Sequence, residues 1–455
     1  MQKHIHVVGI GGIGISALAR YYRYLGYTVS GSDQSDSTLI FTLRAEGMDI
    51  SLGHDAKNLP AHTHLVVYSE AIVTKPDIPI SDQLVSNPEL ARAKELWIRS
   101  LSYPEALAEI VNTKKCIAIA GSHGKSTTSA MTAVACKGTS PGASAIVGTQ
   151  VPQLGNTNFH AEESDYFIIE ACEYKRAFLR YRPYITAVTN IDLDHLDYYH
   201  GIDDYLAAFQ TLVDQTDRYV IVFDDDPQSV KLTILEEKKV TIRDGVIYFL
   251  KKDAIGNYHE HAVPLPPLLL QVPWAHILRD AYLAYTIGYI MGMDGEILVS
   301  KLQWYTGAWR RSEIVRTTYQ WNILMSDYWH HPNEIIPTLR ALHEKYPDRK
   351  LYVVFQPHQY SRTRELLSDF SQAFQDVDTL VIPNIYFSRD KQEDVEWMTV
   401  ERLMEAIRPY QPHVIDGKGL ENTAKLILKY DKKNPNSSII LLLGAGDVDE
   451  LRKVI

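Results

Sequence analysis

The stretch Ala118 to Thr128, with Gly121, Ser122, His123, Gly124, Lys125, Ser126 and Thr127 at its centre, carries the residue types that hold a polyphosphate. Cys116 to Ala120 is an apolar run that reads as a buried strand, and Lys125 to Ala135 has helix-forming composition. Between them the glycines let backbone N–H groups turn inward, where phosphate oxygens meet those donors and the positive end of a helix dipole. Lys125 is placed to neutralise β- and γ-phosphates, and Ser126 offers the small hydroxyl that such loops give to Mg²⁺. The usual phosphate loop has a further glycine five residues before Gly124; Ile119 stands there, so this loop is shorter than the common form.

Downstream, Phe167-Ile168-Ile169-Glu170 ends a buried strand pattern on a carboxylate. The next strand pattern ends in Thr189-Asn190-Ile191-Asp192-Leu193-Asp194-His195. Groups at the carboxyl ends of strands in open α/β sheets converge on the ligand crevice, so Glu170 and His195 are expected beside the phosphates and a divalent ion. A second glycine loop, Gly9-Ile10-Gly11-Gly12-Ile13-Gly14, follows the β-rich run His4 to Val8 and precedes a helical stretch from Ile15 to Leu25. Thr28 to Ser30 and then Asp33 complete a βαβ pattern, with the acid where a ribose-binding carboxylate lies in dinucleotide folds. This loop alone leaves open which nucleotide binds. It is compatible with a nicotinamide-dependent oxidoreductase, a reading that gives the loop at Gly121 to Ser126 no role.

The elements that position these groups alternate strand and helix along 455 residues, a length that implies more than one core. Leu65 to Ser69 and the region around Leu84, Val85 and Ser86 extend the first βαβ pattern. The polar helical stretch Tyr103 to Asn112 leads to a boundary before Lys114 and Lys115. We expect an α/β protein of three domains with largely parallel sheets. These are a Rossmann-like domain over 1–112, a central ATP-binding domain of P-loop type over 113–311 and a Rossmann-like α/β domain over 312–455. The segment Val263 to Leu268 reads as a proline-rich connection inside the second. Hydrophobic residues make up 45% and charged residues 22%, as in soluble globular chains, and the net charge of -10 argues against nucleic acid or an anionic membrane as partner. Cys116, Cys136 and Cys172 have no pairing or zinc-ligand spacing, and no run of about 18 apolar residues occurs, so a cytoplasmic protein without membrane insertion is expected.

Taken together, the motifs resemble those of the Mur ligases, in family order along essentially the whole chain. The two glycine loops, Gly31-Ser32-Asp33, Glu170-Ala171-Cys172-Glu173-Tyr174, the segment Asn190 to Tyr198, Asp327-Tyr328-Trp329-His330-His331-Pro332, Phe355-Gln356-Pro357-His358 and Gly444-Ala445-Gly446-Asp447 carry the likeness. It implies an ATP- and Mg²⁺-dependent amide synthesis through an acyl phosphate, in the branch that joins L-alanine to the carboxylate of UDP-N-acetylmuramate during peptidoglycan synthesis. The partners implied are those small molecules, and the chain is expected as a monomer or homodimer. Lys125, Glu170, His195, His330 and Arg362 take catalytic roles by resemblance, with Ser126, Glu170 and His195 on the metal. The nucleotide contacts implied are residues 121–127, Asn190, Arg311 and Asp327. Substrate contacts implied are Gly11, Gly12, Gly14 and Ser69 at the diphosphate, Asp33 and His54 at the uridine, and Glu173, Tyr328 and His331. Arg310, beside Arg311, is expected to be a surface charge.

Several positions depart from the family pattern. His276 and Arg279 occupy the region where an asparagine pair usually meets adenine, so Trp274 or His276 is expected to stack on the purine while Arg279 donates to it. Gln359 stands where the alanine-adding branch commonly has arginine, which leaves open a ligase for another amino acid or a peptide, or a UDP-sugar-binding homologue with impaired catalysis. Cys172 replaces a common Asp, and Gln210 falls by count where some relatives carry a carbamylated lysine.

Overall fold

The computed structural model describes residues 3–73, 78–195, 198–253, 255–271, 275–388 and 390–455, with Ala275 described by its backbone alone. The chain forms two compact units, one of Met1–Leu270 with Arg279–Tyr305 and one of Gln271–Leu278 with Thr306–Ile455.

The first unit holds two sheets. β1 (His4–Val8), β2 (Thr28–Asp33), β3 (Asp49–Leu52), β4 (Leu65–Tyr68) and β5 (Arg99–Ser102) form a parallel sheet in the order β3-β2-β1-β4-β5. The segment around Leu84 to Ser86, expected to continue the βαβ repeat, belongs instead to a helix, Ile80–Ser86. Ile80 and Leu84 stand one helical turn apart behind Pro79, and the next strand forms only at β5.

The second sheet contains β6 (Lys115–Ala120), β7 (Ala143–Val151), β8 (Thr157–His160), β9 (Tyr166–Glu170), β10 (Ile185–Val188), β11 (Tyr219–Phe223), β12 (Lys239–Arg243), β13 (Val246–Lys252) and β14 (Tyr258–Pro264). Their order is β14-β13-β12-β11-β10-β6-β9-β7-β8, parallel from β12 to β7 and antiparallel at both edges. Cys116 to Ala120 in β6 and Phe167 to Ile169 in β9 are buried throughout, as central parallel strands covered on both faces must be. Val263 and Pro264, read as part of a connection, close β14 as an edge strand, where proline costs no ladder bond.

Both sheets share one core. The helix Ile13–Tyr24 packs Tyr21 edge-on against Phe167 at 5.0 Å, and Asn158 of β8 donates to Ile13 O and Ser16 Oγ while accepting from Arg20. Asn158 is fully buried, so its amide ties the first turn of this helix, just after the Gly9 to Gly14 loop, to the sheet that carries the phosphate loop.

In the second unit β15 (Glu313–Thr317), β16 (Ile323–Asp327), β17 (Lys350–Phe355), β18 (Thr379–Ile382), β19 (Val414–Asp416) and β20 (Ser438–Leu443) form a sheet in the order β15-β16-β20-β17-β18-β19. Only the edge strand β15 runs antiparallel.

Candidate active site

The loop after β6 is shaped by its neighbours before any ligand enters. Gly121 has φ +133 and Gly124 φ +81, and a Cβ at Gly121 would lie 2.0 Å from Thr189 Oγ1. A side chain there would push apart the loop and the end of β10. Asn190 clasps the loop from the other side, accepting from His123 N and donating to His123 O, both at 3.0 Å. Ser122 Oγ meets Asp192 N and O and Tyr205 OH. Ser122, His123 and Asn190 therefore brace the loop, which leads into the helix Lys125–Cys136, whose first-turn N–H groups lie outside the intrahelical ladder. Thr127 Oγ1 is buried with no partner among the described residues, a donor and acceptor available in that turn.

Lys125 Nζ lies 2.9 Å from Glu173 Oε2 and donates to Ser122 O at 3.0 Å. Burial works against its charge, but the negative Glu173 outweighs that and holds the ammonium above its ordinary range. Burial would likewise raise Glu173, and Lys125 with His195 reverses this, keeping the carboxylate ionised. His195, at φ +55, places Nε2 3.4 Å from Glu173 Oε1. Ser126 Oγ donates to Glu170 Oε2 at 2.9 Å, and Gly148 N donates to the same oxygen at 3.1 Å. The structure thus brings Lys125, Glu173 and His195 into one cluster and Ser126 with Glu170 into another. The expected partnership of His195 with Glu170 is replaced, among the described contacts, by one with Glu173.

Gly148 escaped the sequence reading. A Cβ on it would lie 2.1 Å from Glu170 Oε2 and 3.1 Å from Ser126 Oγ, so the absence of a side chain keeps the space beside both oxygens clear. The available signal was a glycine inside a strand, which marks a close approach. Arg279 forms a two-pronged pair with Asp225 at 2.8 and 2.7 Å and lies over Phe223, so its fork is already engaged.

At the rim of the first sheet, Gly11 N donates to Asp33 Oδ2 at 2.8 Å, and Ser69 Oγ accepts from Ala71 N. Asp33 therefore shapes the loop holding Gly11, Gly12 and Gly14 besides facing its rim. His54 Nδ1 lies 3.0 Å from Ser32 Oγ.

The second unit gathers the remaining positions. Asp327 ends β16, fully buried, its Oδ2 accepting from Ser312 N and Oγ at 3.0 and 3.2 Å, while Oδ1 has no partner among the described residues. Arg311 lies over Tyr328 and Trp329, each at 4.8 Å, and His276 meets Trp329 edge-on at 6.0 Å. Burial pushes His276 down to about 4, so its ring is neutral. Trp274, the alternative stacking residue, falls outside the described residues. His330 lies 5.8 Å from His358, and His331 caps the helix Pro332–Lys345 by accepting from Asn333 N. Arg362 sits on the helix Tyr360–Glu365. Gln359, at φ +74, is buried and donates its amide to Ser388 O, so it fastens two loops to each other.

Arg310 is not the surface charge expected. It is 7% exposed and donates through Nη2 to Gly444 O and Gly446 O, fastening the loop after β20 to the segment that carries Arg311. A guanidinium offers several donors in one plane, so a single nitrogen can serve both carbonyls.

Burial raises the Asp327 carboxyl to about 7 against the pull of Arg311 and the Ser312 hydrogen bonds. Unfolded, the group ionises near its ordinary 3.8, so between pH 4 and 7 the folded chain holds a proton that the unfolded chain loses. This contribution to stability is fully present below that window and is lost as pH rises through about 7. Asp327→Asn is expected to flatten the pH dependence of the urea midpoint across the window; an unchanged slope would refute the assignment.

Phosphate-loop ATPase geometry beside a glycine-loop sheet, with a separate α/β unit, is the architecture of an amide ligase class, and comparison with known sequences agrees. Residues 4–115 match the description "Mur ligase family, catalytic domain", 119–261 the "Mur ligase middle domain" and 310–446 the "Mur ligase, glutamate ligase domain". The chain belongs to the Mur ligase family. The UDP-N-acetylmuramate--L-alanine ligase of Clostridium novyi (strain NT) is 34% identical over 98% of this chain and 96% of its own length. The enzyme of that name from Caldanaerobacter subterraneus subsp. tengcongensis is 32% identical over 99% and 96%. The crystal structure of UDP-N-acetylmuramate-alanine ligase from Thermotoga maritima shares the fold at a TM-score of 0.77 and 23% identity, covering 100% of this chain and 98% of that one.

Proposed function

We infer that this chain is an ATP-dependent ligase that joins L-alanine to the carboxylate of UDP-N-acetylmuramate, the first amino-acid addition of peptidoglycan stem-peptide synthesis. The full-length likeness to the L-alanine ligases supports the reaction, and the Lys125–Glu173 pair beside the Ser126–Glu170 pair is the observation that carries the chemistry. We assign the UDP-sugar to 1–112, ATP to 113–311 and the amino acid, with part of the nucleotide, to 312–455.

In this reading the first-turn N–H groups after Gly124 and the ammonium of Lys125 hold charge that develops on the phosphoryl oxygens, where positioning and electrostatics provide most of the catalysis. Glu173 keeps Lys125 protonated and aimed. Ser126 and Glu170 are hard oxygen donors, and the space that a Cβ on Gly148 would fill would suit a Mg²⁺ ion held by them, with His195 a further ligand by the family resemblance. A Mg²⁺ ion held by these residues would supply neutralisation of phosphate charge. Thr127 Oγ1 and the unpartnered Asp327 Oδ1 are open to nucleotide oxygens and a ribose hydroxyl, respectively. Arg362 suits the amino-acid carboxylate through its planar fork. Gly11, Gly12, Gly14 and Ser69 are assigned to the diphosphate, and Asp33 and His54 to the uridine end. Among the described residues no helix is long and apolar enough to cross a membrane, and a cytoplasmic monomer or homodimer is the setting we propose.

Phosphate release is the test. With ATP and Mg²⁺, release is expected to require both UDP-N-acetylmuramate and an amino acid, with L-alanine preferred over glycine and L-serine. Equal turnover with all three would refute alanine specificity, and no release with any would refute the ligase reading.

A further inference from the structure

Glu89 is a completely buried carboxylate of the first unit that has no role in the reaction described above. It stands in the first turn of the helix Pro88–Glu95, whose cap Asn87 accepts from Glu89 N. Four donors from three segments surround it. Oε2 accepts from Ser32 Oγ at 2.6 Å and His6 Nε2 at 3.1 Å; Oε1 accepts from Asn58 Nδ2 at 2.9 Å and Asp55 N at 3.2 Å, and His54 Nδ1 lies 3.6 Å away. Burial would raise this carboxyl, but the hydrogen bonds from His6, Ser32 and Asn58 outweigh it and hold it ionised, an acceptor only.

That fixes the protons around it. A serine has one hydroxyl hydrogen, and at Ser32 it goes to Glu89. Ser32 Oγ can then only accept from His54 Nδ1, 3.0 Å away, so His54 carries its proton on Nδ1. Its Nε2 has no partner among the described residues and, in the Nδ1–H tautomer, is an acceptor. His54 follows Gly53, whose N–H bonds to Asp33 O at the C-terminal end of β2, so the ring stands at the sheet end where ligands bind.

We propose that Glu89, acting through Ser32, is a positioning residue that sets the tautomer of His54 and leaves Nε2 to accept a hydrogen bond from the nucleoside end of the sugar nucleotide. The donor class is the imide N3–H of a uracil ring or a ribose hydroxyl; a cytosine ring has no N–H at that position. The proposal rests on the assignment of His54 to the uridine end. It goes beyond that assignment in naming what holds the ring, which proton it carries and which ligand group it reads.

Glu89→Gln tests the relay with nearly unchanged volume. Asp55 N–H is a fixed donor, so the new amide must keep its oxygen there and turn its NH₂ toward Ser32 and His6. Ser32 must then accept from the amide and donate to His54 Nδ1, which moves the His54 proton to Nε2 and replaces the acceptor by a donor. The expected result is a rise of about tenfold in KM for UDP-N-acetylmuramate, with kcat and the KM for ATP within about twofold. In a Glu89→Gln/His54→Ala double variant that KM should equal the value for His54→Ala alone. An additional rise would mark a merely structural role and overturn the proposal.

Long-range ¹H–¹⁵N spectra of histidine-labelled intact wild-type protein keep the question open to refutation even where the variant folds poorly. With His54 assigned by its loss in His54→Ala, the Nδ1–H tautomer is expected, and the Nε2–H tautomer overturns the relay. Binding of UDP, its N3-methyl analogue and 2′-deoxy-UDP by calorimetry assigns the donor: weakening by N3-methylation alone names the base, weakening by the deoxy change alone names the ribose, and weakening by neither overturns the acceptor role. If His54→Ala leaves the UDP-sugar KM unchanged, the uridine assignment itself fails. If His54→Ala raises it and Glu89→Gln does not, the positioning role alone fails.

Discussion

Replacing Lys125 with Met is expected to reduce kcat for phosphate release by about 10³-fold or more, the scale seen when a cation that stabilises a transferring phosphoryl group is removed. The residue does two jobs, and the structure separates them. It carries charge at the mouth of the phosphate loop, and it neutralises Glu173, which is 1% exposed. Loss of one partner of a buried pair leaves an uncompensated charge and costs about 3–5 kcal/mol of stability. Glu173 is then expected to lose the influence that lowers it, so its carboxyl moves up. Lys125→Met/Glu173→Gln should restore much of the thermal stability while leaving kcat at the level of the single variant. Recovery of kcat in the double variant would show that Lys125 acts only through the pair. Single-turnover phosphate release and thermal unfolding on the same samples decide the matter.

The second large effect comes from adding a single carbon. Gly148→Ala puts a Cβ 2.1 Å from Glu170 Oε2, a distance real side chains do not tolerate, so the carboxylate must leave the position it shares with Ser126. A displacement of about 1 Å in a reacting assembly costs about 10²-fold, and kcat is expected to fall by that much. Stability should change little, because Gly148 is an exposed position of β7 without a positive φ and the atoms in the way are the end of the flexible Glu170 side chain. The apparent affinity for Mg²⁺ should weaken in a titration of activity. Wild-type activity in Gly148→Ala would remove Glu170 and Ser126 from the proposed metal site. Paired with Lys125→Met, it also distinguishes the two clusters: the glycine change acts on the Glu170 side and leaves the Lys125–Glu173 pair intact.

Much of this arrangement was legible along the chain. The glycine loop at 121–127 announces itself because phosphate binding imposes local demands: glycines for φ and close approach, a lysine and a small hydroxyl at set spacing, and a strand before a helix. Those demands act over a dozen residues, so they survive as a pattern. Parallel strands buried on both faces are equally plain, since β6 and β9 have no polar residue at their centres. The region around Leu84 misled because a short apolar group has no clear period, and only the fold shows the turn of helix that contains it.

Partnerships across long separations left no such trace. Nothing in the local pattern pairs Lys125 with Glu173 or assigns His195 to that carboxylate. Arg310 and Arg311 are adjacent and chemically identical, yet one is turned onto the carbonyls of the loop after β20 and the other lies over Tyr328 and Trp329. Adjacent residues on an irregular segment point in different directions, and which one faces inward depends on where β20 ends.

The sequence by itself determined that the chain folds as α/β domains with largely parallel sheets, that one loop has the residue pattern of a phosphate loop, and, through motif order, which family it belongs to. Each of these rests on residue type and short-range spacing, which the backbone and side chains express locally. The tertiary structure alone decided which charges meet, that Gly148 keeps space beside Glu170, that Asp327 is pushed up to about 7, and that Glu89 gathers donors from three segments around Ser32 and His54. Burial and hydrogen-bond count set those properties, and both are sums over neighbours that only the folded chain brings within a few ångströms.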